Sequence, residues 1–319
     1  MSKILFKSIS IWVQLRDLFL YWFRQAIVVN AWIDDHTWYG IHHRNWGDDI
    51  NYYLIREITH RPVVSIYNFR LARRFKFKNF LCIGSLLGMP NYTNENTIVW
   101  GAGSFGDIKG VPPRKICAVR GKLTRNIILE KGIECPEVYG DPALLLSRFY
   151  KPNFRGERRE ERGEKEQQKY RMGIIPHVID LDHPVVEEIR KEHPEILIID
   201  LEHYKKWTDV IDQIFSCEYI ISSSLHGLIV SDTYGIPNCW IELSGKIIGG
   251  YFKYLDYASS VGRELIEPLK VSSFSEIEKT VIDILKSSAK QSSVYLANQN
   301  KIKQIQEDLL HVAPFKIKI

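Results

Sequence analysis

Between Ile220 and Pro237 the chain reads IISSSLHGLIVSDTYGIP. A hydrophobic run enters a serine turn, Ser222 to Ser224, and a helical pattern then opens on Leu225-His226-Gly227. An imidazole at that point can move a proton, while serine hydroxyls and helix-start N–H groups favour a negatively charged ligand. His226 is therefore a candidate acid, with Ser223, Ser224 and Gly227 as candidate ligand contacts. A histidine at a strand end also serves as a plain structural residue, so the other motifs decide its weight.

In Asn45-Trp46-Gly47-Asp48-Asp49, Gly47 permits close backbone approach, and Asn45 and Asp48 can project toward a ligand. Asp48 can accept a proton from a hydroxyl; equally, Asp48 or Asp49 can cap a helix, a role worth about 1 kcal/mol. The turn Gly101-Ala102-Gly103-Ser104-Phe105-Gly106 can cradle a phosphate through Gly103 and Ser104, although its spacing is not that of a Walker loop. Its glycines can also do no more than let the backbone turn sharply. In Val119-Arg120-Gly121-Lys122, Arg120 offers a planar fork to a carboxylate or phosphate, and Lys122 is either a second cation or a solvated surface charge. His177, after the run Ile174-Ile175-Pro176, is a further candidate, whereas Asp141 before Pro142 reads as a turn former.

These residues need elements to hold them. From Ile27 onward short apolar runs alternate with longer periodic segments, the mark of parallel strands joined by helices. Strands are expected at Ile27 to Trp32, Val63 to Tyr67, Phe80 to Ile83, Thr97 to Trp100 and Lys115 to Val119. A second set follows at Met172 to Ile175, Ile196 to Leu201, Tyr219 to Ser222 and Asn238 to Ile241. Helices are expected at Asp49 to Thr59, Lys122 to Lys131, Pro184 to Glu192, Thr208 to Phe215, Leu225 to Tyr234 and Ile247 to Tyr257. The fold class is α/β, with two Rossmann-like domains facing across a cleft: 1–150, a charged linker 151–170, and 171–319. The helical segments Phe274 to Lys286 and Val294 to Leu310 can brace the second domain or return to the first.

Composition narrows the function. The chain has 319 residues, 45% hydrophobic and 25% charged, which is a globular make-up with room for two cores. A net charge of +5 is too weak for a dedicated nucleic-acid binder but suits small anions. Five scattered cysteines with no C-x-x-C pair read as reduced core thiols of a cytoplasmic protein, and no metal-binding spacing is present. The segment Ile4 to Ile33 is aromatic yet interrupted by Arg16, Asp17, Arg24 and Gln25, so it lacks the roughly 20 apolar residues of a spanning helix. No small-residue cleavage site follows it. Two placements remain: packed on the first domain, or lying in the inner face of a membrane with its flanking cations.

Taken in order, NWGDDIN at Asn45 to Asn51, GAGSFG at Gly101 to Gly106, VRGKLT at Val119 to Thr124, YGDPALL at Tyr139 to Leu145, IIPH at Ile174 to His177 and the block SSSLHGLIVSDTYGIP resemble the polysaccharide pyruvyl transferase family. The resemblance implies a fold like that of the GT-B glycosyltransferases, with phosphoenolpyruvate as donor and no metal or redox cofactor. It further implies a saccharide acceptor that receives a pyruvate ketal, and the N-terminal aromatic segment suits a lipid-linked one. By motif, His226 and Arg120 take the phosphoenolpyruvate roles, the domain carrying His226 being the donor side. Many members have arginine two residues before the histidine; this chain has Ser224, which leaves the anion to Arg120, Lys122 or backbone N–H groups. Two other classes stay open: a nucleotide-sugar glycosyltransferase, with Glu242 on a ribose, and a noncatalytic glycan-binding protein.

Overall fold

The computed structural model describes residues 3–31, 33, 36–37, 40–41, 45–66, 69–90, 92–152, 169–265, 267–279 and 293–318, with side chains from residue 11 onward except at 36, 37, 40 and 41. Most of the charged segment Arg155 to Lys169, and the end of the expected helix Phe274 to Lys286, lie outside the described residues. Two compact units form: unit 1 is Met1–Ala143 with Gln304–Ile319, and unit 2 is Leu144–Lys303.

Unit 1 begins with helix α1 (Lys3–Phe23) and strand β1 (Ile27–Val29). A short antiparallel pair, β2 (His36–Thr37) and β3 (Gly40–Ile41), leads to α2 (Trp46–Thr59) and β4 (Val63–Ser65). Then come α3 (Arg70–Arg74), β5 (Asn79–Leu81), β6 (Thr97–Trp100), β7 (Lys115–Ala118) and α4 (Lys122–Glu130). The sheet order is β4-β1-β5-β6-β7, every pairing parallel. Every residue of β1, β4, β5 and β6 is buried, as expected of strands covered on both faces. Helix α2 turns Ile50, Leu54, Ile55 and Ile58 inward at helical spacing. Burying each such side chain stabilises the fold by about 1.5–3 kcal/mol, an upper figure given a compact unfolded chain.

Unit 2 contains α5 (Leu146–Phe149), β8 (Tyr170–Ile175), α6 (Pro184–Glu192), β9 (Leu197–Ile198), α7 (Trp207–Phe215) and β10 (Cys217–Ser222). It continues with α8 (Leu225–Thr233), β11 (Asn238–Glu242), α9 (Phe252–Val261) and β12 (Leu269–Lys270). The order β12-β11-β10-β8-β9 is again parallel throughout. Met172, Ile174, Val185, Ile189, Ile221, Ile241 and Phe274 share its core. All residues of α8 are buried, so its apolar character runs all round rather than along one stripe.

Several boundaries differ from expectation. Helix α9 starts at Phe252 instead of Ile247, because Gly249 (φ 82°) and Gly250 (φ 51°) hold a left-handed turn before it. Helix α10 (Gln299–His311) starts later than Val294, since Val294 and Tyr295 use their carbonyls to receive Arg263 and the Asn238 N–H. Asn298 Oδ1 accepts from the N–H groups of Asn300 and Lys301 at 3.0 and 3.1 Å, acting as the cap. Residues 304–319 group with unit 1, where the sequence placed them in the second domain. Phe315 sits against Trp100 and Phe80, and the Trp100 indole donates to the Leu309 carbonyl at 3.0 Å.

Candidate active site

In each sheet the chain leaves a strand on one side and returns on the other, and ligands of such sheets bind at the carboxyl ends beside that reversal. In unit 2 the reversal lies between β8 and β10, the strands that carry Pro176-His177 and Ser222–Ser224.

The two strand ends are tied together by the serines. Ser222 Oγ donates to the Ile175 carbonyl at 3.1 Å and accepts the Ser224 N–H at 3.0 Å. Ser223 Oγ accepts the His177 N–H at 2.8 Å and donates to Asp180 Oδ2 at 3.1 Å, while Tyr254 donates to the Ser223 carbonyl at 2.6 Å. Ser244 adds a second hydroxyl to Asp180. The Ser223 side chain is thus a brace within the protein, and Ser224 occupies the cap position of α8. Gly227 is required by packing: a Cβ there would come within 2.3 Å of Ser222 Oγ.

His226 stands in the first turn of α8, 8% exposed. His177 is half-buried and caps a short turn by accepting the Ile179 N–H on Nδ1 at 3.3 Å. Burial, and then the Lys253 ammonium, pull the His177 pKa down to about 4, so its ring is neutral at pH 7. Lys253 is itself only 8% exposed, its Nζ lying 5.3 Å from the Tyr254 ring centroid. The sequence reading passed over this lysine. Its signal was a cation sharing a helix face with Tyr257, four residues on, inside FKYLDYASSV.

In unit 1 the reversal lies between β1 and β5. Asn45, rather than Asp48 or Asp49, is the cap of α2: its Oδ1 accepts the Gly47 N–H at 3.1 Å and its Nδ2 donates to Asp48 Oδ2 at 2.7 Å. Asp48 is half-buried in the first helical turn, where the dipole favours its charge. It reaches over the loop after β5, its Oδ1 3.5 Å from where a Cβ on Gly84 would lie. Asn51, not singled out from sequence, clamps that loop by exchanging two hydrogen bonds with the Ile83 backbone at 2.9 and 3.0 Å.

Arg120 is fully buried. Its fork donates to Ser85 Oγ at 2.6 Å and to the Ser104 carbonyl at 2.9 Å, so it joins the loops after β5 and β6. Gly103 lies under the guanidinium, since a Cβ there would come within 2.3 Å of Arg120 Cζ. The Ser104 hydroxyl donates to the Asp107 carbonyl at 2.5 Å and accepts the Gly106 N–H at 2.9 Å, both inside its own turn. Lys122 is exposed at the start of α4. Asp141 accepts the Ala143 N–H at 3.0 Å, the turn role expected of it, and Glu242 receives the Tyr251 hydroxyl at 2.8 Å.

Each unit is thus a parallel α/β sheet with polar and titratable side chains gathered at its carboxyl edge, the arrangement of a ligand-binding doubly wound protein. The polysaccharide pyruvyl transferase model matches residues 45–245, and the chain belongs to that family. It is 27% identical over 224 residues to protein L143 of Acanthamoeba polyphaga mimivirus, covering 69% of this chain and 72% of that protein. It is 26% identical over 235 residues to the succinoglycan biosynthesis protein ExoV of Rhizobium meliloti (strain 1021), covering 69% of this chain and 62% of that protein. Among solved structures, it is similar to the spinosyn rhamnosyltransferase SpnG, with a TM-score of 0.33 and 11% identity over 76% of this chain and 72% of that one.

Proposed function

We propose that the protein transfers the enolpyruvyl unit of phosphoenolpyruvate to a sugar of a polysaccharide repeat unit, forming a cyclic pyruvate ketal. The observation that carries this reading is the seating of His226 in the first turn of α8, on the carboxyl edge that also holds His177 and the buried Lys253. Family membership and the relative in succinoglycan biosynthesis support it.

In this reading unit 2 takes the donor. Lys253 supplies the cation that Ser224 does not, since the Arg120 fork already holds Ser85 and Ser104. The ammonium and the N-terminal N–H groups of α8 oppose the carboxylate and phosphate of phosphoenolpyruvate. His226 gives a proton to the methylene carbon, which becomes a methyl group as one sugar hydroxyl adds to the adjacent carbon. The second hydroxyl then displaces phosphate from that carbon. Of the two protons released by the hydroxyls, one restores His226 and the other leaves with phosphate.

The five buried thiols suit a reducing cytoplasmic setting for this work. Incubation with phosphoenolpyruvate and a panel of lipid-linked or aryl sugars should give one phosphate per pyruvylated product, read by mass spectrometry. Calorimetric binding of a nucleotide sugar, with none of phosphoenolpyruvate, would overturn the proposal in favour of glycosyl transfer.

A further inference from the structure

One face of α1 packs on unit 1 through Val13, Leu18 and Tyr21, the last stacked on Phe77 at 4.6 Å. The other face is apolar too. Trp12, Leu15, Phe19 and Trp22 recur at helical spacing and are 61%, 51%, 54% and 65% exposed, with Phe23 stacked on Phe19 at 5.1 Å. Isolated exposed apolar residues are ordinary, but a contiguous aromatic face of this kind marks a contact surface. No described helix is long and apolar enough to cross a membrane, so this face can lie on a surface but not span it.

Two cavities open at the end of that face. The first, about 470 Å³, is bordered by Arg24, Tyr52, Arg56, Glu57, His60 and Arg61. Three guanidinium groups thus face one carboxylate. Arg61 is fixed by donating through Nε to the Gln25 carbonyl at 2.7 Å, and burial lowers its pKa. The second cavity, about 360 Å³, shares Arg61 and is bordered by Tyr21, Trp22, Phe80 and Phe315. Both lie at the amino-terminal ends of β1, β4 and β5, the edge opposite Asp48 and Arg120. Arg56 and His60 also suit the negative end of α2, but Arg24 stands outside that helix.

We propose that this edge of unit 1 docks on an anionic phospholipid surface. The aromatic face of α1 enters the interface, Arg24, Arg56 and Arg61 hold a lipid phosphate, and the adjoining aromatic cavity takes the apolar part beside it. A cationic pocket abutting an exposed aromatic face matches a headgroup abutting acyl chains. A second copy of the chain matches less well, since self-pairing across a two-fold axis would set equivalent arginine clusters near each other.

The test is flotation of the full chain with phosphatidylcholine vesicles, with and without phosphatidylglycerol. Binding should be roughly tenfold or more tighter with the anionic lipid. Arg24→Gln with Arg56→Gln should abolish that preference, and Phe19→Ser with Trp22→Ser should abolish binding to both vesicles. These exposed substitutions should leave the thermal midpoint unchanged, which separates lost docking from lost folding. Equal binding to both vesicles, or variants that bind like the parent, would overturn the proposal. So would a concentration-dependent dimer, seen by sedimentation, that the aromatic variant dissolves while the parent ignores vesicles.

Discussion

His226 and Lys253 are given different tasks by the proposed reaction, and their substitutions should separate in kinetics. His226→Ala should lower turnover by about 10²–10⁴, the usual weight of a positioned proton donor, with phosphate release as the readout. Lys253→Met should mainly raise the KM for phosphoenolpyruvate, while Lys253→Arg should recover part of the affinity. His177 supplies a further test. Its folded pKa is about 4 against an ordinary 6.5, so between those values the unfolded chain binds the extra proton. Its contribution to stability is therefore complete above about pH 6.5 and declines as pH falls toward 4. His177→Asn, which keeps a cap acceptor, should flatten that part of the urea-midpoint profile. His226 was legible because strand, serine turn and helix adjoin in sequence. Lys253 was not, because its neighbour His177 is far away in the chain and meets it only in the folded unit.

At the scale of elements, the motif SSSLHGLIVSDTYGIP contains a structural half. Asp232, near the end of α8, is fully buried and paired with the fully buried Arg263 at 3.0 Å. It also receives Tyr257 at 2.8 Å, Asn238 at 2.9 Å and the Ala297 N–H at 3.1 Å. One carboxylate thus fastens α8, α9 and the segment before α10. Asp232→Ala leaves a buried guanidinium without its partner and should cost about 3–5 kcal/mol, measured by denaturant unfolding. Strand cores and most helix positions followed from apolar runs and their period. Ends were harder: Asn45 took the cap position that the adjacent aspartates also suited, and glycine turns delayed α9.

Unit 1 takes up residues from two distant stretches of the sequence. Residues 304–319 complete unit 1, and Gly140 (φ 132°) lets Ile305 approach so closely that a Cβ would come within 2.4 Å of it. Phe315→Ala should destabilise unit 1 by about 3 kcal/mol, through lost packing on Phe80 and Trp100. Trp100 fluorescence during unfolding offers the readout.

The sequence by itself determined two parallel α/β sheets, the family, and the place of His226 at a strand-to-helix turn. Each of these is written in local spacing, because period and turn chemistry act over a few residues. Only the tertiary structure decided that Arg120 joins two loops, that Lys253 lies beside His177, and that the C-terminal residues belong with unit 1. Spacing shows which residues turn inward, but not which distant element they will face.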